Sequence, residues 1–311
     1  MLVFSHWNFV PKTIAYLTSC EVEHRLRYQK DDFKSSPFTF RKSRMSIFNA
    51  TFPSLALSKE IDTLRCAASC ATEPDRRDVE RIARKQLLAL IKRAGIRYQK
   101  DGKSSPTWQI IAAVEAAHCN AVDADTADAM YGEITWTDLR PSSEDRSHNE
   151  WFAKYQTTYG NWYENGMTEG FAHTVTINEK RLRRILDIAL YSPANIILRG
   201  LVRLGPRILT LRPGTKTNET EVDLFSYVAS VGIAQVRNYF NRPLVQAIVT
   251  KYGKGKRYVD KVLDYCAKGH LQAVMDEFIC LQIDNITGDA RKTKAAKLVD
   301  QIGIVFSMHS G

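Results

Sequence analysis

The 311-residue chain lacks the short motifs from which most enzymatic activities are read. It has no Gly-x-Ser-x-Gly elbow, no His-Glu-x-x-His and no dinucleotide fingerprint, so hydrolase, protease and dehydrogenase readings have no residue to start from. No apolar run approaches the roughly 18 residues that a membrane span needs. Cysteine is sparse: six residues are scattered through a chain with ample core-forming material, and His6, Trp7 and Asn8 interrupt the apolar Met1–Val10 where a secretory signal would lie. The cysteines therefore read as reduced thiols of a cytoplasmic protein, with a nuclear location as the alternative. Glycine and proline, at 16 and 10 residues, are near average, no tract is of low complexity, and 44% hydrophobic residues place the chain among globular proteins. Acidic residues are the scarcer charge. With 44 Lys and Arg against 34 Asp and Glu, the formal net charge is +10, which points to an acidic partner, nucleic acid first and an anionic membrane second.

The excess is concentrated. Between Lys180 and Lys261 there are sixteen basic residues against five acidic ones, on a stretch too apolar to be a disordered tail. Glu179–Tyr191 reads as a helix, apolar at Leu182, Ile185, Leu186 and Ile188 and basic at Lys180, Arg181, Arg183 and Arg184. Ser192-Pro-Ala opens a further helix on which Arg199, Arg203 and Arg207 stand four residues apart and share a face, with a kink expected at Gly205-Pro206. Like charges at that spacing repel, so such a row is easier to rationalise when an anion lies along it. Arg212-Pro-Gly214 makes a turn. Lys251 then precedes Tyr252-Gly-Lys-Gly-Lys-Arg-Tyr258, where two glycines would let the backbone approach phosphate, Lys254, Lys256 and Arg257 would neutralise it, and Tyr252 or Tyr258 would stack on a base. This is not a nucleotide-binding P-loop, because neither Gly-Lys pair is followed by Ser or Thr. The plainer alternative is a solvated turn between helices.

Elsewhere the pattern is helical. Ser58-Lys-Glu-Ile61 is shaped like the start of a capping box, and Val79, Ile82, Ala83, Leu87, Leu90 and Ile91 recur at helical spacing between Thr72 and Gly95. The other face of that helix carries Arg76, Arg77, Arg81, Arg84, Lys85, Lys92 and Arg93, a solvated face before it is an RNA surface. Thr107–Ala121, Val222–Tyr239, Pro243–Lys251, Val259–Ala267, Leu271–Ile283 and Asp289–Val305 read as further helices, and Phe171–Ile177 alternates like a strand or hairpin arm. Ala121–Glu150 is acidic, and Asp123-Ala-Asp125 with Asp128 resembles part of a calcium loop but lacks its glycine and terminal glutamate. Trp151, Tyr155, Tyr159 and Trp162 form an aromatic stripe, which reads as core before ligand platform. A short duplication is present: Arg27-Tyr-Gln-Lys-Asp31 with Lys34-Ser-Ser-Pro37 recurs as Arg97-Tyr-Gln-Lys-Asp101 with Lys103-Ser-Ser-Pro106, expected as two similar basic turns.

The fold class expected is mainly α: a two-lobed helical protein with a loosely ordered N-terminal arm and at most a small β-hairpin. The arm is 1–44, the N-terminal lobe 45–140, a linker 141–150, the basic lobe 151–288 and a C-terminal helix or arm 289–311. Cys66 with Cys70 and Cys266 with His270 are each four apart, and would make a zinc set only if the two faces met; buried thiols are the simpler reading. No cofactor, metal or catalytic residue is expected. No family motif is present, but in general build, a basic helical protein with a terminal arm and no catalytic signature, the chain is similar to the nucleocapsid and filament coat proteins of RNA viruses. That resemblance implies sequence-nonspecific binding of single-stranded RNA in a basic groove between helical lobes, with self-association through terminal arms, in a virion or ribonucleoprotein. The candidate RNA-binding residues are Lys180, Arg181, Arg184, Arg199, Arg203, Arg207, Arg212, Lys251, Tyr252, Lys254, Lys256, Arg257 and Tyr258. A helical adaptor for protein partners is the alternative, followed by an enzyme acting on nucleic acid.

Overall fold

A computed structural model describes residues 49–70, 73–122, 174–204, 224–225, 227–229, 231–283, 285 and 294–307. The candidate arm 1–44, the linker, the acidic segment after 122, the aromatic stripe and the first copy of the duplication lie outside the described residues. What is described is mainly α, as the periodicity predicts.

Helices α1 (Leu55–Glu60), α2 (Thr63–Ala68), α3 (Arg76–Arg93) and α4 (Thr107–Val122) come first in the chain. The cap of α1 is Ser54, which accepts from the Leu57 amide, and not Ser58, which is buried with its hydroxyl turned to Asn195. Helix α3 is capped by Asp75 instead of Thr72, and it buries Ala83, Leu87, Leu90 and Ile91 as the spacing predicts. Its cations are largely paired, Arg76 with Glu80, Arg81 with Asp78, Arg84 with Glu179 and Arg93 with Glu60.

The second half is built on α5 (Glu179–Tyr191) and α6 (Pro193–Leu204), bent by 54° at Ser192. Every residue from Pro193 to Leu201 is buried, so α6 is the central helix of the described structure. Around it lie a π-helical turn (Gly232–Val236) and α7 (Arg237–Phe240), with α8 (Pro243–Tyr252), α9 (Tyr258–Lys268), α10 (Leu271–Ile283) and α11 (Lys294–Ser307) following. A single apolar cluster runs through both halves, from Leu57 and Leu87 through Ile185 and Ile197 to Leu263 and Ile302. Among the described residues no single helix is long and apolar enough to cross a membrane. The bent α5–α6 pair has the required length and composition, yet its apolar residues are the buried centre of the fold.

The β structure is not a hairpin. Strand β1 (Arg97–Tyr98) pairs in parallel with β2 (Thr176–Ile177) across nearly eighty residues of chain. The duplicated segment wraps that strand on both edges. On one edge the Arg97 and Gln99 amides donate to the carbonyls of Val175 and Ile177; on the other, the Ser105 amide donates to the Thr176 carbonyl and Ser105 Oγ accepts from the Thr176 amide. This clamp also fixes the start of α5, because Asn178 Nδ2 donates to the Gly102 carbonyl at 2.9 Å while Asn178 Oδ1 caps the Arg181 amide at 2.9 Å. The cations of the first turns of α5 are thereby held in place.

Candidate nucleic-acid interface

The first two turns of α5 face the Gly253–Arg257 turn and the start of α9 across a groove of about 980 Å³. Eight cations line it, Arg76, Lys180, Arg181, Arg183, Arg184, Lys254, Lys256 and Arg257, against the three carboxylates of Asp187, Asp260 and Asp264. The amphipathic pattern of α5 explains one wall: Leu182, Ile185 and Leu186 are buried, which leaves the basic residues between them on the outer side. The other wall is the turn. A Cβ at Gly253 would stand 2.4 Å from the Lys261 carbonyl oxygen, and Gly255, at φ +148°, would place one 2.5 Å from Asp260 Cβ. These glycines let the turn fold back on its own helix; they are required by packing, not by the approach of a phosphate.

The walls are joined at Asp260. Its carboxylate accepts from Arg184 Nη1 at 2.6 Å and Arg257 Nη2 at 3.0 Å, and from the Arg257 amide as one half of a capping box. Burial alone would raise its pKa, but Arg257 and Arg184 hold it below the ordinary carboxylate range. Burial lowers the pKa of Arg184, which Asp260 partly opposes and the charge of Arg257 reinforces. Arg181 is lowered by burial and by Arg257, and its Nη1 donates only to the neutral Thr107 hydroxyl, at 2.8 Å. Lys180, Arg183, Lys254 and Lys256 make no ion pair among the described residues. With Arg181 there are thus five unpaired cations, and with two further guanidiniums sharing one carboxylate they make a surface that repels itself and attracts anions. No protein family, no curated protein and no solved structure matches this chain.

Six of the thirteen candidate residues meet in this groove: Lys180, Arg181, Arg184, Lys254, Lys256 and Arg257. Arg199 and Arg203 do not. They share a helical face, but that face is turned inward. Arg199 is fully buried, and its guanidinium donates to the Ala189 and Leu190 carbonyls and to Gln272 Oε1. It thus caps the C-terminus of α5, where free carbonyls and the helix dipole favour a cation, and burial among these groups pushes its pKa down to about 10. Arg203 pairs with Asp62, the N-cap of α2, and with Asp276 of α10. Burial would raise the Asp62 carboxyl, but its bond to Arg203 holds it low. Arg207 and Arg212 lie outside the described residues.

Tyr258 is likewise not a base platform. Its hydroxyl donates to the Phe240 carbonyl at 2.8 Å, and burial raises its pKa. Tyr252 is 57% exposed with Lys251 Nζ 5.5 Å from its ring centre, and both residues stand outside the groove lining. Among the described residues no three His, Cys, Asp or Glu side chains converge on a metal position, so Cys66, Cys70, Cys266 and His270 do not form the zinc set. Burial pushes the Cys66 thiol up to about 11 and that of Cys266 to about 12, as for inert core thiols.

Several lining residues escape a reading of the sequence. Arg183 stands in the same Lys-Arg-Leu-Arg-Arg run and was available as a signal. Arg76 and Ser104 come from distant parts of the chain and carry none, and Tyr191 closes α5 itself, where its apolar spacing reads as core. The Arg76 guanidinium lies 4.8 Å over the Tyr191 ring, whose hydroxyl bonds Glu80 at 2.8 Å.

Proposed function

We propose that this protein binds single-stranded RNA without sequence preference, as a nucleocapsid- or coat-type protein, and that the groove between α5 and the α8–α9 turn holds the sugar-phosphate backbone. The observation that carries this reading is the charge of the groove, eight cations to three carboxylates, with five of the cations unpaired among the described residues. Its lining offers a phosphate chain many donors. It offers bases little, since Tyr191 and Leu263 are the apolar or aromatic side chains in it. Such a surface reads charge and spacing in place of sequence. The role is one of binding, not catalysis, in the cytoplasm or in a ribonucleoprotein particle, with self-association completing the assembly.

The test is salt-dependent retention of RNA. Log affinity for oligouridine should fall linearly with log salt, and replacing Lys180, Arg183, Lys254 and Lys256 with alanine should flatten the slope. Equal retention by the variant at every salt concentration would remove this groove from the interface. The adaptor reading draws on a different face: on α10, Ala273, Val274, Cys280 and Leu281 are exposed on one stripe, Val274 at 56% and Leu281 at 60%. A protein partner that binds there and survives high salt would favour it.

A further inference from the structure

The positive charge of the groove is not evenly spread. At its centre the guanidiniums of Arg184 and Arg257 share the single carboxylate of Asp260, and Arg181, which feels the charge of Arg257, pairs with no carboxylate among the described residues. The Arg184 side chain is only 13% exposed, and its Nη2 is buried without any hydrogen-bond partner. A buried donor left without an acceptor costs free energy, and a guanidinium fork is built to give two parallel bonds to one anion. Arg181 spends one nitrogen on the neutral Thr107 hydroxyl and makes no ion pair among the described residues. The next carboxylate, Asp187, lies one turn further along α5; burial pushes its pKa up to about 6, so its charge still offsets part of that of Arg184 at neutral pH and is lost as pH falls below that value. The N-cap residues Asn178 of α5 and Arg257 of α9 both line the same groove, so two helix N-termini open on it.

We infer that the knot of Arg181, Arg184 and Arg257 is a seat for one doubly charged phosphoryl group. This rests on the reading of the groove as an RNA site and adds a preference to it. A backbone phosphodiester carries one charge, whereas a terminal phosphate carries close to two at neutral pH. The seat therefore favours an RNA end bearing a 5′-phosphate, with the following nucleotides laid along the rest of the 980 Å³ groove past Lys254 and Lys256. The same chemistry is offered by free pyrophosphate, which separates the seat from the RNA.

The experiment uses the full chain in two arms. In the first, pyrophosphate is added at constant ionic strength against chloride, and the melting temperature is followed. The wild-type protein should rise by several degrees, by linkage to the folded state, and Arg181→Gln should not. In the second, 5′-phosphorylated and 5′-hydroxyl oligouridines of one length are compared. The phosphorylated strand should bind about tenfold tighter, the gain of one further charge-assisted contact, and Arg181→Gln should cancel that difference by weakening the phosphorylated strand more than the hydroxyl strand. Arg184→Lys, which keeps the charge and can keep the pair with Asp260 but removes the second nitrogen, should cancel it too. If pyrophosphate has no effect, or the same effect on Arg181→Gln, and the two strands bind alike, the seat is refuted while the RNA groove stands. If pyrophosphate stabilises only the wild type and neither strand binds, the seat holds and the RNA reading falls.

Discussion

Two clusters of arginine stand on consecutive helices and have opposite fates. Lys180, Arg181, Arg183 and Arg184 at the start of α5 open on a groove, whereas on α6 Arg199 is fully buried and Arg203 is held between two carboxylates. The difference is not one of spacing, since Arg199 and Arg203 satisfy the helical rule for a common face as well as any pair in the chain. It is one of partners. Arg203 meets Asp62 and Asp276, and both Nη atoms of Arg199 meet carbonyl oxygens at the end of α5, so apart from Arg199 Nε the two guanidiniums are neutralised or solvated by protein. The α5 cluster makes one ion pair among the described residues, from Arg184 to Asp260, and shares that carboxylate with Arg257. A cation row marks a binding surface only where the fold withholds acceptors from it.

The sharpest way to break this contrast is to mutate the sealed cluster. Arg203→Ala leaves Asp62 and Asp276 without their cation, and removal of one partner of a buried pair costs about 3–5 kcal/mol. We expect a large fall in the urea midpoint. RNA affinity of the remaining folded protein should be unchanged; a variant of normal stability that had lost RNA binding would place Arg203 back in the interface.

The open cluster should respond in the opposite sense. Alanine at Lys180, Arg183, Lys254 and Lys256 should reduce the slope of log affinity against log salt by about three, at ~0.7 per single-strand phosphate contact. Stability should stay within about 0.5 kcal/mol for these surface changes. Loss of fold without change in slope would reverse the two assignments.

Asp187 lies at the border between the two behaviours. Its folded pKa, about 6, is raised by burial and by Glu80, against the pull of Arg184, Arg183 and Arg76. A raised carboxyl pKa means that the folded state takes up the proton first, so this residue stabilises the fold as pH falls from about 6 to about 4 and disfavours it above. The expected size is roughly 1–3 kcal/mol. Below that window the paired carboxylates Asp62, Asp260 and Asp264, whose pKa values are lowered, work the other way. Asp187→Asn should flatten the 4–6 portion of the stability profile, and in the wild type RNA binding should tighten across it. A profile identical in the two proteins would show that Asp187 does not titrate there.

The smallest effect concerns the two tyrosines. Tyr258→Phe removes one hydrogen bond to the Phe240 carbonyl and should cost about 1 kcal/mol of stability with RNA affinity unchanged. An RNA defect without a stability change would restore Tyr258 to the groove.

The helical class was legible because burial imposes a period, and α3 and α5 bury the residues that their spacing marks. Half of the groove was legible for the same reason, since a helix with one apolar side must present the cations of the other. What could not be read was which cations would be answered. Asp62 and Asp276 stand 141 and 73 residues from Arg203, and nothing local announces either meeting. Tyr258 was misread because an aromatic beside a glycine turn looks the same whether the next helix turns it outward or inward. The capping serine was misplaced because Ser54 and Ser58 both precede helical pattern, and only the buried Asn195 decides between them.

The clamp around Thr176 has a consequence for how the chain tolerates change in length. Residues 97–106 and 174–178 are pinned to each other by bonds on both edges of one strand, so the chain that leaves this clamp into α4 returns to the same clamp before α5. The entropy of closing such an excursion grows only with the logarithm of its length, about 0.6 kcal/mol for each doubling. The start of α5, and with it the wall of the groove, is therefore held by the bonds of the clamp and not by the number of residues that separate its two halves.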